Sequence, residues 1–259
     1  MNNEEYEKLY KFEHFYWWHV GRRDILNSFL KRFLKNRENQ ILEIGCGTGG
    51  NLEILSKWGK VTGLDISERA LGLCRKRGFN NLLLGKGEQM NFPDKSFDLV
   101  VALDVLEHIK DDKRVLEESW RVLKEGGYSL ATVPAYQFLW SEHDEALEHY
   151  RRYSLLDFSN KLRQAGFNIV KMSYLVSFVF PAVLGYRILR KILFPKSKKN
   201  IAYVFLPKPI NSFFIYLLKL ESFLLKYFNL PFGTSIICIA QKPPNQSKLG
   251  SGQAKLKNS

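Results

Sequence analysis

Ile41-Leu42-Glu43-Ile44-Gly45-Cys46-Gly47-Thr48-Gly49-Gly50 is the stretch whose reading decides the fold. A short apolar run broken by one acid meets a glycine-rich turn, and Asn51 to Trp58 then resumes a helical pattern. Gly45, Gly47 and Gly50 satisfy the GxGxxG spacing of a nucleotide-binding turn, and Asp65 follows at a distance suited to holding a ribose. Glycines let the backbone come close to a ligand, and a helix N-terminus favours negative charge. The spacing alone does not identify the nucleotide, so a nicotinamide-dependent oxidoreductase is one reading of it. Glu43 before the turn and Asp104 after the fourth predicted strand favour an ammonium or sulfonium there and oppose a diphosphate.

Outward from this turn, strands are predicted at residues 61–65, 81–84, 97–103, 128–133 and 169–174. Helices are predicted at 68–77, 106–123 and 155–165, and Ser235 to Ala240 reads as one more buried strand. With the strand at 41–44 this makes an α/β, doubly wound, mostly parallel seven-stranded sheet covered on both faces. Upstream, residues 4–35 read as helical with an aromatic-rich start, a break at Gly21 and Asp24 as an N-cap. The domain division that follows is a helical cap at 1–39, an α/β core at 40–174, an insertion at 175–234, the last core strand at 235–241 and a disordered tail at 242–259.

The net charge of +13 is not spread evenly. Residues 1–174 hold 26 Lys+Arg against 25 Asp+Glu, whereas 175–234 hold 9 against 1 and 242–259 hold 4 against 0. The core is therefore nearly neutral, which disfavours a nucleic-acid partner at its pocket. Three cysteines with no CxxC pair argue against both a disulfide framework and a zinc site. Four glutamates and no apolar run in the first twenty residues predict no signal peptide and a cytoplasmic, reducing location.

Glu43-x-Gly45-x-Gly47-x-Gly49, the acid Asp65 at the end of the second strand, and Asp104-Val-Leu-Glu107-His108 after the fourth resemble the class I S-adenosylmethionine-dependent methyltransferases. The likeness is to their small-molecule branch, similar to the enzymes of quinone biosynthesis. It covers about residues 40–135 by motif and implies a Rossmann-like fold with S-adenosyl-L-methionine as cofactor. By the same resemblance, Gly45, Gly47 and Gly49 would meet the methionine part of the cofactor and Glu43 its ammonium. Asp65 would take the ribose hydroxyls, Ile66 would lie against the adenine, and the Leu103 carbonyl, beside Asp104, would accept from the ammonium. Arg22 or Arg23 resembles the arginine that meets the cofactor carboxylate. Lys86 stands where the family often has aspartate, which leaves adenine recognition to the backbone around Gly87 and Glu88.

Two histidines, four acids and two arginines crowd Trp140 to Tyr153, where the family builds its acceptor pocket. His143, Asp144 and His149 are the candidates for removing a proton from a hydroxyl or amine acceptor. A solvated helix laced with ion pairs is the plainer reading of the same residues. On one helix His143 and His149 would stand about 240° apart, so no metal site is expected.

The insertion holds nine Phe and four Tyr among its sixty residues, flanked by lysines, and its apolar runs are too short to span a bilayer. That composition fits peripheral attachment to an anionic membrane surface from the inner face, with a small or lipid-linked acceptor. A helical cap packed on the domain or on a second subunit is the alternative. A cofactor-binding protein without catalysis is the remaining one.

Overall fold

The computed structural model describes residues 3–193 and 206–244. β1 (Asn39–Ile44), β2 (Gly59–Asp65), β3 (Leu82–Leu84), β4 (Phe97–Leu103), β5 (Leu123–Pro134), β6 (Asn168–Leu175) and β7 (Ser235–Gln241) form one sheet in the order β3-β2-β1-β4-β5-β7-β6. Strands β1 to β5 run parallel, and β7 lies antiparallel between β5 and β6. The mostly parallel seven-stranded sheet is the one the sequence predicts. Strand order reverses between β1 and β4, and a ligand in such a sheet sits outside the carboxyl ends at that point.

Alternate residues of each strand feed two cores. Leu42, Ile44, Val100, Ala131 and Cys238 face α5 (Asp112–Val122) and α7 (Leu155–Gln164) through Val115, Leu116, Phe158 and Leu162. Ile41, Leu99, Val101, Leu130 and Ile237 face α2 (Trp17–Phe33) and α9 (Lys208–Leu224) through Ile25, Phe29, Leu30 and Leu218. Each such fully buried aliphatic side chain stabilises the fold by about 1.5–3 kcal/mol. Asp111 caps α5, Ser154 caps α7, and Ser67 caps α4 (Glu68–Lys76), each by accepting a backbone N–H.

Several local expectations need correction. The break in the first helical stretch falls at residues 13–16, between α1 (Asn3–Phe12) and α2, not at Gly21. Gly21 and Asp24 both lie inside α2, where the glycine makes room for Leu218 of α9. The helix after the glycine turn is a single turn, α3 (Leu52–Leu55), and the predicted helix at 106–123 is a 3₁₀ turn at Leu106–His108 followed by α5. Lys242, assigned to a disordered tail, is buried under the sheet edge. Its Nζ donates to the carbonyls of Trp120 and Leu123 at 2.9 Å and lies over the Trp120 ring. Residues 245–259 of the predicted tail and 194–205 of the insertion lie outside the described residues.

What is described of the insertion is α8 (Phe180–Leu193) and α9, and no described helix is long and apolar enough to cross a membrane. The insertion's lone acid, Glu221, is fully buried and accepts from the backbone N–H groups of Val176 and Ser177. Asn211 accepts from the Trp17 N–H at 2.9 Å and donates to the Phe15 carbonyl. These bonds join α9 to the start of α2 and to the end of β6.

Candidate functional site

At the carboxyl end of β1 the glycine turn is held by left-handed backbone at Gly45 (φ +65°), Gly47 (φ +53°) and Gly49 (φ +85°). The Gly47 N–H donates to Asp65 Oδ2 at 2.8 Å, and the Ser67 N–H donates to Oδ1 at 2.9 Å. Each carboxylate oxygen keeps a further lone pair for a ribose hydroxyl. A Cβ on Gly47 would meet nothing within 4 Å, so the turn leaves open space where a ligand can approach the backbone. Glu43 is 1% exposed; its Oε1 accepts from Asn51 Nδ2 at 2.9 Å, and its Oε2 is buried with no partner. Burial pushes its carboxyl up to about 8, a state that a nearby cation would reverse. An orphaned buried carboxylate oxygen and an open glycine turn fit an ammonium-bearing cofactor.

The other predicted cofactor contacts are distributed around this turn. Leu103 ends β4, and Asp104 follows in a left-handed conformation (φ +52°). That backbone turns the Asp104 carboxylate onto Arg22, and Thr132 Oγ1 donates to it at 2.9 Å. Arg22 also donates to Thr132 Oγ1 at 2.7 Å, so its charge is already matched. Arg23 instead donates to the Glu13 carbonyl at 2.5 Å. Ile66 is exposed. Gly87 is buried, and Glu88 is half-buried in a turn closed by pairing of Lys86 with Gln89.

The sequence pattern gave no sign of Glu13. It follows α1, is 6% exposed, accepts from Thr48 Oγ1 at 2.5 Å and pairs with Arg77. A Cβ on Gly50 would collide with it at 2.1 Å. The N-terminal cap is thus stapled onto the glycine turn.

Beyond Asp104 lies a cavity of about 410 Å³, walled by Trp17, Trp18, Leu147 and Val183 and lined with polar groups from five separate segments. His19, His108, His143 and His149 all reach it. His143 and His149 do not diverge around one continuous helix, because α6 (Glu142–Ala146) ends before His149. Glu148 then takes left-handed backbone (φ +58°), and the Tyr150 N–H bonds the Glu107 carbonyl at 2.8 Å, which brings both rings to one cavity. Glu107, His108 and His149 also bring ligand atoms within 4.8 Å of one another, a spacing that could hold a metal ion.

Asp144 does not itself line this cavity. It is fully buried and accepts from Ser141 N–H at 2.9 Å and Arg152 Nε at 2.7 Å, with His149 Nδ1 at 3.0 Å. Burial alone would raise its carboxyl, but His149, Arg152 and Arg187 together hold it well below the usual range. Its contact with Nδ1 fixes the orientation of the His149 ring, whose Nε2 is the other ring nitrogen. Burial drives His143 and His108 down to about 4 and His19 to about 3, so these rings are neutral near pH 7. Glu107 is pushed well up, first by burial and then by Asp104.

Comparison with known proteins agrees with this geometry. Residues 42–131 match a family described as a methyltransferase domain. The demethylmenaquinone methyltransferase of Chlorobaculum tepidum is 30% identical over 223 residues, which cover 82% of this chain and 77% of that protein. Of other curated relatives it matches, the chain spans between 31 and 65% of their length. An S-adenosylmethionine-dependent methyltransferase structure from Thermotoga maritima superposes with a TM-score of 0.56 at 23% identity, covering 92% of this chain and 95% of that one. Phosphoethanolamine N-methyltransferase 2 of Haemonchus contortus, solved with S-adenosyl-L-methionine, gives 0.56 at 22% identity over 84% of this chain and 52% of its own. These two extend the agreement in fold, and the family sets aside the oxidoreductase reading of the glycine turn. The chain belongs to the class I S-adenosylmethionine-dependent methyltransferases, with S-adenosyl-L-methionine as its cofactor.

Proposed function

We propose that this enzyme methylates a hydroxyl or amine of a lipid-linked acceptor at an anionic membrane surface, on the cytoplasmic side, with His149 as general base. The cofactor supplies the activated methyl carbon on a cationic sulfur. Glu43 and the Leu103 carbonyl would hold its ammonium and Asp65 its ribose. His149 Nε2 would take the proton that the acceptor loses on gaining the methyl carbon, and the pair that bound that carbon would stay with the cofactor sulfur. Alignment in the 410 Å³ cavity is the larger contribution, since the leaving group is already activated.

One observation carries the membrane part. Phe213, Tyr216, Leu220 and Phe223 recur at three- and four-residue steps along α9, continue into Tyr227, and are 37 to 66% exposed. Lys208, Lys219 and Lys226 are exposed along one flank of that stripe. Apolar aromatics edged by lysines suit the boundary between acyl chains and anionic headgroups. The relative's name, demethylmenaquinone methyltransferase, points to an apolar acceptor in that protein and supports the same class here.

The test is co-sedimentation with phosphatidylglycerol and phosphatidylcholine vesicles, followed by transfer of labelled methyl into a lipid extract. Binding to the anionic vesicles alone is expected, weakened by salt and by a Phe213→Ser/Phe223→Ser double substitution, with label in the organic phase. Equal binding to both vesicles, or label confined to water-soluble product, would refute it.

A further inference from the structure

From α8, Arg187 lines the cavity, and its Nη1 is buried with no hydrogen-bond partner. The nearest carboxylate oxygen, Asp144 Oδ2, is 3.8 Å away. That carboxylate is already committed to Ser141, His149 and Arg152. The Asp104 carboxylate is likewise committed to Arg22.

The charges at the cavity therefore do not balance. Arg22 pairs with Asp104 and Arg152 with Asp144, and Asp144, already engaged, is the carboxylate that lies within 4 Å of Arg187. Arg187 is held down to about 10, by burial first and by the like charge of Arg152 next, with only Asp144 opposing them. It still carries its charge at neutral pH. A mostly buried cation with an unused donor, beside a second guanidinium and facing a cavity, lacks an anion.

We infer that the acceptor bears an anionic group, a phosphate or a carboxylate, which Arg187 receives with Arg152 at the α8 side of the cavity. Guanidinium groups give such oxygens paired, charge-assisted hydrogen bonds. The inference rests on reading this cavity as the acceptor pocket. Trp17, Trp18, Leu147 and Val183 would then enclose the apolar part of the same molecule. The insertion's first helix would thereby select the substrate while its second meets the bilayer.

Calorimetric titration of the full chain, saturated with S-adenosylhomocysteine, tests this with phenyl phosphate, benzoate and benzyl alcohol as probes. Phenyl phosphate or benzoate should bind roughly tenfold or more tighter than benzyl alcohol, and the tighter of the two identifies the group. Arg187→Gln should reduce that preference to about threefold or less while S-adenosylhomocysteine affinity is retained. Benzyl alcohol binding as tightly as both anions, or an undiminished preference in Arg187→Gln, overturns the inference. If Arg187→Gln does not fold, Arg187→Lys decides: a reduced preference supports the two-point contact, and an unchanged one refutes it. Leu147→Trp, which narrows the cavity, separates the two levels. If it abolishes methyl transfer while no anion preference exists, only the anionic group is lost; if transfer is untouched, the acceptor pocket goes too.

Discussion

Gly21 of α2 lies directly against Leu218 of α9: a Cβ on the glycine would stand 2.3 Å from Leu218 Cδ1 and 2.6 Å from its Cβ. Two helices almost two hundred residues apart in sequence thus share one close contact, and Asn211 and Phe214 extend it to Trp17. In an exposed helix, Gly→Ala stabilises by about 1 kcal/mol. Here Gly21→Ala should instead destabilise by about 1–3 kcal/mol, through overpacking. Urea unfolding checks this, and Leu218→Ala in the same chain should recover part of the loss. Strict additivity of the two substitutions would show that the contact is not direct.

Asp144→Asn keeps the shape of the buried site but removes the carboxylate charge beside His149 Nδ1. Turnover should fall about 10²–10⁴-fold, with S-adenosylhomocysteine affinity within about twofold of wild type. His149→Ala should cost a similar factor, and the double substitution little more than either alone. Full turnover in His149→Ala would remove the histidine from proton transfer.

Glu43 offers a signal at the cofactor end. With its carboxyl at about 8 in the ligand-free protein, it is protonated at pH 7, and a bound ammonium would favour the ionised form. Cofactor binding at pH 7 should therefore release up to about one proton, read by calorimetry in buffers of different ionisation enthalpy. Glu43→Gln should abolish that release. Equal proton release in the two proteins would place the ammonium elsewhere.

Glu221 is the acid that closes the turn after β6. Glu221→Ala leaves the Val176 and Ser177 N–H groups buried without an acceptor and should cost about 2–4 kcal/mol. Burial lifts its carboxyl from an ordinary 4.5 to about 7, so between those values the folded state holds more protons than the unfolded one. Its contribution to stability accordingly diminishes as pH rises across that window. Melting temperature against pH should be flatter for Glu221→Gln than for wild type between pH 5 and 7; identical slopes would contradict this.

Much of this fold was readable from strand-length apolar runs and their punctuation. Ile41–Ile44 and Ser235–Ala240 each report burial directly, because a strand covered on both faces must be apolar throughout. The glycine turn and Asp65 were legible for a similar reason, since left-handed backbone and a strand-end acid leave residue-type signatures. Glu13 left none: a glutamate in a charged, helical stretch looks solvated, and only its seat on Gly50 makes it part of the site. The His143 and His149 pair was misread because a charged segment gave no sign of the left-handed step at Glu148. Arg187 looked like one of the insertion's many cations, and nothing local in the sequence told it apart from them.

The place of β7 has a consequence for how the molecule comes into being. β5 and β6 never touch; they are joined only through a strand that emerges from the ribosome after the whole of α8 and α9. Until residues 235–241 arrive, both flanking edges are open and β6 has no ladder partner. This late strand therefore acts as a keystone, and a nascent chain stalled just short of it would present two sticky ribbons to chaperones and to other chains.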